Sequence, residues 1–308
     1  GVAAPTVTDP TIMSHIARSL FLLLLACAAL SGWAAAQGQL LQVFVSIPPQ
    51  KYFVERVGGD HVQVSVLVGA GQSPATFEPT PGQMAGLSRA QLFYRIGVPF
   101  ESVWMQRLLA LNPNMSVLDA RQGLQLRQLE PAGGHRHDDD RGLQQEHAAD
   151  PHVWLSPARV RTMAAALRDR LSELDPAHSA DYQAGFKALD DDLVQLDLQI
   201  RERLSALEAR EFMVFHPSWG YFADDYGLRQ IPIESEGKEP GARTLARLVQ
   251  QARAQGIQVI FVQRQFSQAQ AHALAQQLGA RVVAIDPLSE QYIDNLLRVA
   301  DAIAGFGR

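Results

Sequence analysis

The sequence predicts an α/β protein of two lobes, each a mostly parallel sheet flanked by helices, joined by one long rigid helix. Three observations carry this expectation. From Leu41 onward short β-branched apolar runs alternate with helix-length amphipathic ones, a long periodic stretch then interrupts the alternation, and it restarts near Glu211. Repeated strand–helix units lay their strands parallel, because each crossover returns to the same sheet with a fixed hand. At 308 residues, 47% hydrophobic and 19% charged, the chain is long enough for two such domains. A formal net charge of -5 without a basic stripe argues against nucleic acid as a partner.

Residues 1–36 read as a leader and signal peptide. Arg18 precedes an apolar run from Leu20 to Leu30, and Ala34-Ala35-Ala36 supplies the small residues of a cleavage site. The expected start is Met13, with cleavage after Ala36. An uncleaved anchor is the alternative, although the run is shorter than the roughly 20 residues a spanning helix needs. Cys27 is the only cysteine, and Leu24-Leu25-Ala26-Cys27 weakly resembles a lipoprotein processing site. The mature protein is therefore expected to be periplasmic or otherwise extracytoplasmic, lipid-tethered at Cys27 or soluble and free of cysteine. Neither form relies on disulfides or Cys-based zinc sites.

Residues 37–175 are expected to form the N-terminal lobe. Leu41 to Ile47 is the first strand; Pro48 and Pro49 open a helix carrying Tyr52, Phe53 and Val57, ended by Gly58-Gly59. Val62 to Val68 alternates and then turns apolar, a second strand. The Gly- and Pro-rich stretch Gly69 to Pro81 reads either as a ligand-facing loop of fixed shape or as a plain connection. A short helix (Met84 to Leu87), a strand (Leu92 to Gly97), a helix (Glu101 to Leu111) and a strand (Met115 to Leu118) follow. The apolar pattern then stops, and the loop 131–149 carries His135, His137 and His147 among Asp138, Asp139, Asp140 and Glu146. Such a loop either holds a divalent cation loosely or is a solvated insertion, since flexible ligands lose entropy on ordering.

After this loop comes Asp150-Pro151-His152-Val153-Trp154-Leu155-Ser156-Pro157. Pro151 stiffens the turn that presents His152, and Ser156 or Pro157 starts the next helix, which runs to Leu174. The linking helix is expected over residues 176–208. Phe186, Leu189, Leu193, Leu196 and Ile200 recur at three and four, the stripe of a helix packed along one side. Some 30 helical residues would extend about 45 Å, enough to bridge two lobes, although a long helix inside one domain would show the same period.

Residues 209–308 form the expected C-terminal lobe. Its strands are Glu211 to Phe215, Ile231 to Ile233, Val259 to Val262 and Arg281 to Ile285, with helices near Ala242 to Gln255 and Ser267 to Leu278. His216 and Asp286 both end strands, hence both lie at the sheet's C-terminal edge, where open α/β sheets bind ligands. Singly, a strand-end His or Asp before proline is a hydrogen-bonder or turn former. Together with His152 they supply three N/O donors facing one interlobe cleft, a set that suits Zn²⁺, with Fe²⁺ and Mn²⁺ as alternatives.

The residues now on the page resemble the metal-binding proteins of bacterial ABC importers, the ZnuA/TroA-like family or cluster A-I. The similarity runs from Leu41 to Ala304, on Phe77-Glu78-Pro79-Thr80-Pro81, Asp150-Pro151-His152-Val153-Trp154, Phe215-His216-Pro217-Ser218-Trp219-Gly220-Tyr221-Phe222, Glu236-Gly237-Lys238-Glu239-Pro240 and Asp286-Pro287-Leu288. What the resemblance implies is a monomeric extracytoplasmic protein that holds one Zn²⁺ or Mn²⁺ between its lobes and delivers it to a membrane permease. His152, His216 and Asp286 match the family's second, third and fourth ligands, and a His at the third position resembles the zinc branch. The family's first ligand is a His where this chain has Ala75. Water, Glu78, Gln50, Glu239 or a His of the 135–147 loop would have to complete the shell, or a chelator arriving with the metal.

Two rival classes are a binder of an organic ligand and a secreted zinc hydrolase with Glu78 or Glu239 as base. The hydrolase lacks sequence support, since neither His-Glu-x-x-His nor Gly-x-Ser-x-Gly occurs.

Overall fold

The computed structural model describes residues 40–129, 149–234, 241–266 and 268–305. Among them the order is β1 (Leu41–Val45), α1 (Pro48–Gly58), β2 (Val62–Val66), α2 (Pro81–Leu87), β3 (Leu92–Arg95), α3 (Pro99–Leu111), β4 (Ser116–Asp119), α4 (Pro157–Leu174) and α5 (Ser179–Leu204). The second half continues with β5 (Glu211–Val214), α6 (Gly220–Asp225), β6 (Arg229–Pro232), α7 (Ala242–Ala254), β7 (Val259–Val262), α8 (Gln268–Leu278), β8 (Arg281–Ala284) and α9 (Tyr292–Ala304).

The strands form two four-stranded parallel sheets, β2-β1-β3-β4 and β6-β5-β7-β8. Both repeat one topology: the chain steps outward once, returns past its starting strand, and continues on the other side. Each therefore has one switch point, between β1 and β3 in the first and between β5 and β7 in the second, where crossovers diverge and leave a crevice. Pro232 ends β6, an edge strand, where a missing N–H breaks no inner ladder bond.

Local chemistry accounts for the helix starts. Thr80 and Gln83 form a reciprocal capping box, with Pro81 at the first helical position of α2. Ser156 Oγ accepts from Arg159 N at 3.2 Å and Pro157 opens α4, as the Ser-Pro pair predicts. Isoleucine cannot cap α1, so Gln50 reaches back and its Oε1 accepts from the amides of Ser46 and Ile47.

The long helix is shorter than the expected run 176–208. Residues 176–178 form a separate 3₁₀ turn, and α5 proper has 26 residues, about 39 Å. Asp175 makes that break, binding both His178 Nδ1 and the hydroxyl of Tyr182. The stripe itself is buried at Leu189, Leu193, Leu196 and Ile200, with Phe186 half-buried beneath the guanidinium of Arg168. The backbones of α1 and α5 meet closely at Gly185, where a β-carbon would lie 2.6 Å from the Val57 carbonyl oxygen.

The second sheet shares its two faces between two cores. On β5, Phe212 and Val214 join the large cluster built on the first sheet, α1, α4 and α5, while Met213 faces a smaller cluster with Leu248, Ala271 and Leu274. The strand's period of two produces this division. The helix α9, which the sequence reading above leaves undrawn, places Tyr292, Leu296, Val299 and Ile303 in the large cluster. Phe212, Val214 and the apolar face of α9 thus share one core with the first sheet.

Candidate metal centre

His152 sits in a turn that its own neighbour holds. Asp150 Oδ1 accepts from the His152 amide at 3.0 Å and faces the ring Nδ1 at 2.7 Å. Both residues are nearly enclosed, at 1% and 8% exposure. The turn is anchored on the second half of the chain: the Tyr221 hydroxyl donates to the Asp150 carbonyl, Trp154 Nε1 to the Pro287 carbonyl, and the Tyr292 hydroxyl to the Trp154 carbonyl. Three aromatic donors thus fix a segment of the first half against the C-terminal edge of the second sheet.

His216 lies two residues past β5, at that sheet's switch point. Gln263, after β7, brackets its backbone, accepting from the His216 amide at 3.3 Å and donating to the His216 carbonyl at 2.8 Å. Phe266 stacks on the imidazole at 4.7 Å between ring centres. The Nδ1 atom is hydrogen-bonded to Glu234 Oε1, a carboxylate buried just past β6. Burial lowers the imidazole below its ordinary value, against the opposing pull of Glu234 and with help from nearby His152.

The two imidazoles lie 5.3 Å apart, centre to centre, at an interplanar angle of 75°. Each presents Nδ1 to a carboxylate, Asp150 for one and Glu234 for the other, an arrangement that orients the ring and leaves the Nε2 lone pair to a ligand. Glu234 escaped the sequence reading, although an acid just beyond a strand's C-terminal end is a readable signal.

The other predicted residues divide. Asp286 follows β8, as expected, with its Oδ1 accepting from Leu288 N at 2.9 Å and its carbonyl accepting from Asn295 Nδ2. It does not join the imidazoles: among the described residues, no three His, Cys, Asp or Glu side chains are grouped to hold a metal ion. Gln50 is committed elsewhere. Besides the two amides bound at Oε1, its Nε2 donates to the Tyr94 carbonyl at 2.7 Å, so it plugs the first sheet's switch point. Glu78 lies exposed between buried Phe77 and Pro79, and Ala75 is also exposed. Phe77 packs this loop edge-on against Phe100, with ring centres 5.0 Å apart. Glu239, His135, His137 and His147 lie outside the described residues.

A pair of carboxylate-backed imidazoles at the edge of a parallel sheet sits in a chain whose residues 43–305 match the family model of the periplasmic zinc-uptake complex component A, ZnuA. The chain belongs to the ZnuA family. It is similar to the zinc-binding lipoprotein AdcA of Streptococcus pneumoniae strain R6, 30% identical over 270 residues, which cover 87% of this chain and 53% of AdcA. The chain thus spans about half the length of that relative. The high-affinity zinc uptake system protein ZnuA of Bacillus subtilis strain 168 matches along nearly its whole length, 28% identical over 303 residues that cover 94% of this chain and 95% of that protein. A crystal structure of a ZnuA superposes with a TM-score of 0.81 at 41% identity, covering 88% of this chain and 100% of that one. ZnuA-family membership also accounts for the fold, two parallel-sheet lobes flanked by helices.

Proposed function

We propose that this protein captures a divalent cation, zinc in preference to manganese, outside the cytoplasm and hands it to the membrane permease of an ABC-type importer, acting as a monomer. The observation that carries this is the imidazole pair. Neutral nitrogen donors, each oriented by a carboxylate, suit a borderline cation such as Zn²⁺ better than the hard, oxygen-seeking Mg²⁺ or Ca²⁺. His152 and His216 would supply two donors, and Asp286 the third, by turning its carboxylate from the Leu288 amide toward the metal. Ala75 contributes none, so the fourth position falls to water or to a donor brought by the cargo. The names of the relatives, zinc-binding and zinc-uptake proteins, support zinc as the cargo. Placement outside the cytoplasm fits the family description and the expected signal peptide; release by cleavage after Ala36, with tethering at Cys27 as the alternative, and the divisions 37–175, 176–208 and 209–308 are parts of the same proposal.

The test is elemental analysis of the metal-stripped full chain after equilibration with limiting Zn²⁺ and Mn²⁺ in competition, repeated with His152→Ala, His216→Ala and Asp286→Ala. A single zinc per chain, lost in each variant with the fold retained, is the expected result. Unchanged zinc in both His variants would refute the site.

A further inference from the structure

Beside Asp286 lies a cavity of about 780 Å³, bounded by Val66 at the end of β2 with residues 68–71, by Ala284 at the end of β8 with residues 285, 286 and 288–291, and by one side of α9. A bare cation with its water needs a small part of that; the volume falls in the range of about 300–1,000 Å³ that encloses small organic ligands. Four charged side chains line it: Arg264, Arg298, Asp286 and Glu290. Glu290 is already ion-paired with Lys51. Arg264 and Arg298, both exposed, have no ion-pair partner among the described residues. The Oε1 atom of Gln265, also on the lining, is buried without a hydrogen-bond partner. A buried acceptor of this kind calls for a donor from whatever fills the space.

We propose that this cavity receives the organic part of a metal chelate, a hydroxycarboxylate whose carboxylates pair with Arg264 and Arg298 and whose hydroxyl donates to Gln265. The inference rests on the metal-capture reading and names the form of its cargo. Guanidinium forks match carboxylates in geometry as well as charge. Asp286 belongs both to the cavity lining and to the proposed donor set, so a chelate seated here would carry its metal at the correct edge. The loop that supplies Arg264 and Gln265 continues into Phe266, the ring stacked on His216, which ties the cavity wall to the imidazole pair. The fourth donor, absent at Ala75, is then supplied by the ligand's own oxygens.

The experiment is equilibrium dialysis of the metal-stripped full chain against isotope-labelled citrate, with and without Zn²⁺, and against Zn²⁺ alone, using the wild type and an Arg264→Ala/Arg298→Ala double variant. Citrate is expected to be retained in proportion to zinc by the wild type. Its affinity should fall at least about tenfold in the variant, as loss of charge-assisted hydrogen bonds implies. Binding of zinc alone should be equal in the two proteins. Zinc retained from the zinc–citrate mixture with no citrate accompanying it, or citrate retained equally by both proteins, would overturn the chelate while leaving metal capture standing. Binding of neither by the wild type would overturn both readings.

Discussion

Glu234 and His216 follow different strands of the second sheet, β6 and β5, yet they meet as a carboxylate–imidazole pair, the carboxylate buried and the ring half-buried, hydrogen-bonded through Oε1 and Nδ1. Carboxylates behind ligating histidines raise their basicity and hold their orientation. Glu234→Gln keeps the volume and removes the charge. Zinc affinity, read by competition with a chromogenic chelator, is expected to fall about 10–100-fold. An unchanged affinity would mean that His216 does not ligate.

The stability of the metal-free protein should carry the mark of the same imidazole. Burial holds His216 below its ordinary value, so the unfolded chain takes up the proton first. Its contribution is then complete above about pH 6.5 and is lost as pH falls from there through the folded value. Urea unfolding across that window should show the wild type losing stability more steeply than His216→Gln. Parallel profiles would contradict a neutral, enclosed ring. Zinc binding should weaken over the same descent, because a protonated imidazole has no lone pair to offer.

The turn that carries His152 depends on a distant hydroxyl. Tyr292→Phe deletes the donor to the Trp154 carbonyl, formed at 2.7 Å in a buried setting, and leaves that acceptor unpaired. A loss of about 1–3 kcal/mol in unfolding free energy is expected. Zinc affinity should weaken with it if Trp154 positions its neighbour His152, whose ring lies 5.1 Å away.

At Gly185 the closeness of α1 and α5 is directly testable. Alanine there would drive a β-carbon against the Val57 and Arg56 carbonyl oxygens, at 2.6 and 2.7 Å, atoms that cannot rotate aside. Helix propensity favours alanine by about 1 kcal/mol, but overpacking of this kind costs about 1–3 kcal/mol. Chemical denaturation should find Gly185→Ala neutral to destabilised by about 2 kcal/mol; a more stable variant would show that the helices can separate freely.

Strands were the most legible part of the fold, because β1, β5 and β7 are short apolar runs, β1 followed by Pro48, β5 by Pro217 and β7 preceded by Gly256, so that composition and punctuation agree. His152, His216 and their placement at turn and strand end could also be read, since Pro151 and Pro217 mark where the elements stop. Glu234 could not be paired with His216 from sequence, because strand order, not separation along the chain, makes them neighbours. Gln50 misled for the opposite reason: an amide near a predicted cleft looks available until its backbone partners are known. The stripe of α9 was readable at Tyr292, Leu296, Val299 and Ile303, yet nothing in its spacing says which core receives it.

That destination bears on how cargo enters and leaves. Swinging the sheets apart would strip Tyr292, Leu296, Val299 and Ile303 from the large core, at about 1.5–3 kcal/mol for each side chain exposed. Small displacements of the segments around Arg264 and Asp286 expose far less. Exchange through loops belongs to the nanosecond-to-microsecond range, whereas hinged domains move in microseconds to milliseconds. The packing of α9 thereby favours exchange of a cargo through these two short segments over a separation of the sheets.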